Sequence, residues 1–77
     1  MNIRISENLK EVDKNTFLKY IEALGEYSKK EEVVPGGNCK VILYIKSFHN
    51  RPDMAVALHN QCENVFQIDL TIMNASE

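Results

Sequence analysis

The residues best suited to chemistry are gathered in one stretch of this 77-residue chain, which holds both cysteines and both histidines: Cys39, His49, His59 and Cys62. Two thiols and two imidazoles are a donor set that tetrahedral zinc accepts. Geometry opposes a single site. A strand from about Cys39 to Phe48 would separate Cys39 from His49 by about 33 Å at ~3.3 Å per residue. Cys39, His59 and Cys62 could still meet at one end of a sheet, with Glu63 or water as a fourth ligand, but the spacing matches no standard zinc pattern. The expectation is no metal and no cofactor, with Cys39 as a small core residue and Cys62 as a turn thiol.

His49, Arg51 and Asp53 form a second cluster beside Asn50 and Pro52. These residue types can exchange protons or grip a phosphate. A turn, however, recruits Asn, Pro and Asp for its own backbone reasons. No nucleophile–base pattern accompanies them, so the reading leans away from an enzyme and assigns no catalytic residue. Pro35-Gly36-Gly37-Asn38 is glycine-rich, but it precedes a strand and lacks the helix N-terminus that phosphate loops exploit. Lys29-Lys30-Glu31-Glu32 reads as a solvated, self-neutralising charge run.

The elements that must position these groups follow from hydropathy patterning. Phe66, Ile68, Leu70 and Ile72 alternate with Gln67, Asp69 and Thr71, which predicts a strand from Val65 to Met73 with one buried and one wet face. Cys39 to Phe48 predicts a second strand. Met54 to His59 suits a short strand or a helical turn, and its short flanking loops favour the strand. Asn60 to Asn64 makes the turn between them. Ile3 and Ile5 suggest a short strand at the start, and Ser6 to Val12 is open between a loop and a helical turn. A helix begins near Asp13 or Asn15, either of which can cap it. Phe17, Ile21, Leu24 and Ser28 form its apolar stripe, and it runs on toward Val33 despite Gly25. Pro35-Gly36 then suits the centre of a type II turn. Asn74 to Glu77 reads as a frayed tail.

The order is therefore β-α-β-β-β: one small α+β domain over 1–77, a three- to four-stranded antiparallel sheet with one helix on one face. Such an order is shared by many unrelated modules and licenses no function by itself. With 44% hydrophobic and 26% charged residues, the composition is that of a globular domain. A net charge of −2 gives no electrostatic case for nucleic acid or an anionic membrane. No stretch approaches the ~20 apolar residues that span a bilayer, and the N-terminus lacks a signal peptide's apolar segment. A cytoplasmic protein with reduced cysteines is expected, so a Cys39–Cys62 disulfide is not.

One helix covers one face of a sheet, so the other face carries the function. Cys39, Val41, Leu43, Ile45 and Ser47 are expected beneath the helix. Lys40, Ile42, Tyr44, Lys46 and Phe48 would then lie on the open face, with Ala55, Ala57 and His59 from the next strand. An apolar patch with a polar rim marks a protein interface. The partner-binding residues read from the sequence are Ile42, Tyr44, Lys46 and Phe48, with His49 and Arg51 in the adjacent loop. They suit a protein-interaction module or stoichiometric inhibitor, of the kind a phage or mobile element encodes, working as a homodimer or on another protein. The alternative is single-stranded nucleic acid, because Lys40, Tyr44, Lys46 and Phe48 alternate basic and aromatic groups.

Overall fold

The computed structural model describes residues 4–34, 36–47 and 54–71. Over these residues it is an α+β fold with one helix and one largely antiparallel sheet. The strands are β1 (Arg4–Ile5), β2 (Leu9–Val12), β3 (Ser28–Val33), β4 (Lys40–Ile45), β5 (Met54–Asn60) and β6 (Val65–Asp69), and α1 spans Lys14–Leu24. Their order across the sheet is β2-β6-β5-β4-β3, and β1 pairs in parallel with the start of β5. The β-α-β-β-β reading thus names the right class but leaves out two strands. Ser6 to Val12, open in the sequence, ends in β2.

The helix begins where the sequence places it. Asp13 caps it, its carboxylate accepting from the Thr16 N–H at 3.3 Å and the Thr16 hydroxyl at 2.6 Å. It stops earlier than expected, at Leu24, because Gly25 takes φ +78° with ψ −102°, a left-handed φ outside the usual αL cap that glycine adopts far more readily than other residues. Ser28 to Val33, read as the helix's last turns, is strand β3 instead. It pairs antiparallel with β4, Lys29 opposite Tyr44 and Glu31 opposite Ile42. The hairpin closes as the glycines suggest: Gly36 has φ +80°, the Gly37 N–H donates to the Val34 carbonyl at 3.0 Å, and the Val34 N–H donates to Cys39 at 3.0 Å.

β5 is a strand, central in the sheet, and Ala55, Val56, Ala57 and Leu58 are all buried. The expectation of Ala55 and Ala57 on an open face fails because a central strand is packed on both faces. A β-bulge sets Tyr44 opposite Ala57 and Ile45 opposite Ala55, so Val56 is the extra residue. Val56 and Ala57 both join the helix-side core with Phe17, Tyr20, Leu24, Phe66 and Ile68. A second cluster on the other face holds Leu43, Ala55 and Leu58, flanked by Leu9, Val41 and Ile45.

The two faces of β4 are therefore the reverse of the sequence reading. Tyr44 packs edge-on against Phe17 of the helix at 5.4 Å between ring centroids. Val41, Leu43 and Ile45 lie on the helix-free side. Alternation fixes two faces but not which one the helix takes. The aromatic contacts of Phe17 with Tyr44 and Phe66, the latter at 4.9 Å, decide it.

The last strand ends at Asp69, and Leu70 and Thr71 open a helical turn. Asp69 is fully buried, against the expectation of a wet position. It accepts from the Ser6 and Thr71 hydroxyls and, at 3.0 Å, from the Thr71 N–H. These bonds tie the β1–β2 corner to the end of β6 and offset the desolvation of a buried carboxylate.

Candidate interaction surfaces of the sheet

Of the six partner-binding residues read from the sequence, Ile42, Tyr44 and Lys46 fall within the described residues, while Phe48, His49 and Arg51 lie outside them, as does Asp53. Ile42 is half-buried on the helix-side row, between Glu31 of β3 and His59 of β5. Tyr44 is half-buried, its ring between Phe17 and Tyr27, and the Tyr27 ring meets it at 5.5 Å. Lys46 reaches the end of the helix, where its ammonium donates to the Leu24 carbonyl at 2.6 Å. A cation there suits the negative end of the helix dipole.

Near Lys46 the surface opens into a broad hollow of about 750 Å³, whose lining includes Tyr27, Lys29 and Ser47. The Lys29 ammonium stands 5.6 Å from the centre of the Tyr44 ring. Two lysines and two tyrosines therefore meet along the helix-side edge of the sheet, a grouping the sequence reading approached only through β4. Tyr27 and Lys29 were missed because they were assigned to a helix.

The helix-free face carries a smaller, more apolar groove of about 260 Å³. Its lining includes Ile5, Val34, Val41, Leu43 and Leu58, with Glu32, Asn60 and Gln67 at the rim. Leu43 and Leu58 are buried in the floor, whereas Val34 and Val41 are half-open and Ile5 is exposed. Strand register brings these residues together: Lys30, Leu43, Leu58 and Gln67 form one row across β3 to β6, and Glu32, Val41 and Asn60 the next.

The cysteines and histidine settle apart. Cys39 is half-buried, Cys62 is exposed, and both thiols are free. His59 stacks on Phe66 at 4.1 Å between centroids, and its Nε2 lies 3.4 Å from the Asn64 amide oxygen. Among the described residues no three of His, Cys, Asp and Glu converge on a common point. Two titrating groups are displaced from their usual range. The Thr16 hydroxyl and N–H hold the Asp13 carboxyl below its ordinary value. Burial pushes the Tyr20 phenol up to about 12, and the negative charge of Asp69 adds to the rise. The Tyr20 hydroxyl donates to the Asp69 backbone carbonyl at 2.8 Å.

Among the described residues no helix is long and apolar enough to cross a membrane. No protein-family model matches the chain, and neither the curated proteins nor the solved structures compared with it gave a match.

Proposed function

We propose that this chain is a non-catalytic protein-interaction module, binding stoichiometrically as an adaptor or inhibitor does, through the sheet face that the helix leaves open. The observation that supports this reading is the groove of Val34, Val41, Leu43, Leu58 and Ile5 rimmed by Glu32, Asn60 and Gln67. An apolar floor inside a polar rim is the anatomy of a protein interface. The contact surface proposed is again an open sheet face, with Val41 and Leu43 in place of Ile42 and Tyr44 because the helix covers the opposite side of β4.

Site-resolved photo-crosslinking tests the reading. A photoreactive amino acid at Val34 or Val41 is expected to give discrete protein adducts in the source cell. The same group at the exposed Lys19 on the helix is expected to give none. Equal labelling at all positions, or no adduct at Val34 and Val41, contradicts it.

A second reading, single-stranded nucleic acid, draws on the Tyr27, Lys29, Tyr44 and Lys46 grouping. Oligonucleotide binding that weakens steeply with salt would favour it. The net charge of −2 weighs against it.

A further inference from the structure

The edge strand β3 carries an inference that rests on the interaction-module reading and names a partner. β3 ends the sheet; among the described residues no strand pairs with its outer edge, and all of Ser28 to Val33 is exposed. Antiparallel residues alternate between exchanging hydrogen bonds with one neighbour and turning away from it. The Val34 N–H donates to Cys39. Glu32, Lys30 and Ser28 therefore direct their backbone groups into β4, and Val33, Glu31 and Lys29 direct theirs outward. Side chains alternate as well. Lys29 lies opposite Tyr44, so Lys29, Glu31 and Val33 share the helix side with Tyr27. The row whose backbone groups face outward thus reads aromatic, positive, negative, aliphatic; within the protomer Glu31 pairs with Lys40 at 3.3 Å and Lys29 lies over Tyr44, so both charges exchange or share these partners when the edge is paired.

That row is its own complement. Strands related by a two-fold axis perpendicular to a sheet run antiparallel with the same face up. With the axis at Lys30, Lys29 faces the partner's Glu31 and Tyr27 faces the partner's Val33, and the symmetric pairs repeat both contacts. Tyr27 and Val33 are among the exposed large apolar residues, at 36% and 61%. Moving the axis to Lys29 or to Glu31 sets like charges against each other on this row. On the other row Lys30 meets the partner's Lys30, and Glu32 of its own strand, 3.7 Å away, offsets that repulsion. Charges on an edge strand oppose indiscriminate pairing; here their order leaves one favourable register.

We propose that the chain forms a two-fold dimer by antiparallel pairing of β3 in the register centred on Lys30. The dimer extends the sheet across the seam and sets both grooves on one face, which gives a bivalent surface for a foreign partner. Cross-strand ion pairs at an exposed edge are screened by salt, so the dimer weakens as ionic strength rises.

Charge reversal tests the register. Light scattering and native mass spectrometry of the wild-type chain at high micromolar concentration should give twice the 8.8 kDa protomer mass. Lys29→Glu alone and Glu31→Lys alone should each be monomeric, since each sets like charges face to face. Mixed in equal amounts, they should form a heterodimer, because Glu at 29 then faces Lys at 31 and Glu31 faces Lys29. A misfolded variant could not be restored by mixing, so folding failure is distinguished from lost pairing. A wild-type monomer overturns the dimer and leaves the groove reading standing. Variants that stay dimeric, or a mixture that stays monomeric, place the contact elsewhere and overturn the proposed register.

Discussion

Tyr20 and Asp69 link the helix to the last strand, and their chemistry sets a pH limit on the fold. The Tyr20 phenol sits at about 12 in the folded chain, above its ordinary value near 10. As pH climbs, the unfolded chain ionises this group first, so the stabilisation is intact below about pH 10 and is lost as pH rises toward about 12. Urea unfolding measured across this range should show falling stability in the wild type and a shallower fall in Tyr20→Phe. Equal slopes would mean that Tyr20 does not report the fold's alkaline limit. Asp69 was not legible as a buried residue. It stands in an alternating run where polar positions face water, and its hydroxyl partner Ser6 lies 63 residues away. Nothing local to Phe66-Gln67-Ile68-Asp69 shows that a donor arrives from the other end of the chain.

At the scale of elements, the helix start was legible because a cap is a local device: Asp13 and Thr16 suffice to make it. The helix end was misread because Ser-Lys-Lys-Glu-Glu-Val has good helix formers and no apolar alternation. β3 forms because the turn at Gly36 lays this segment alongside β4, where register and tertiary pairing override propensity. Gly25 is the other half of that decision. Nothing lies within 4 Å of a Cβ built there, so its φ of +78° is the constraint on substitution. Gly25→Ala should therefore cost about 1 kcal/mol through backbone strain, read as a lower urea midpoint with an unchanged slope. No loss would show that the helix can end without the left-handed residue. The hairpin turn and the core of β6 were legible for the opposite reason: period-two apolar residues and Gly or Asn turns are short-range signals. β5, apolar at every position from Met54 to Leu58, stayed open between a strand and a helical turn, and only its short flanking loops favoured the strand.

At the scale of the molecule, a small chain with one full helix among its described residues has two sheet faces and two edges to dispose of. The helix takes one face through Phe17, Tyr20 and Leu24, and strand register gathers Leu43, Ala55 and Leu58 on the other. The sequence shows that one face stays open but not which, because β4 is apolar on both parities. The proposed contact residues move for that reason from Ile42 and Tyr44 to Val41 and Leu43. The charged run Lys29 to Glu32, which reads as bland in the sequence, becomes an ordered edge once it is a strand. In this account the chain works by association, with its grooves presented in pairs across β3. Residue-resolved amide exchange tests that most directly. Because the Lys29 and Glu31 N–H groups point outward, they should be protected, increasingly so with protein concentration, alongside the inward Lys30 and Glu32 N–H groups. Rapid exchange at Lys29 and Glu31 at every concentration, with Lys30 and Glu32 protected, would contradict it.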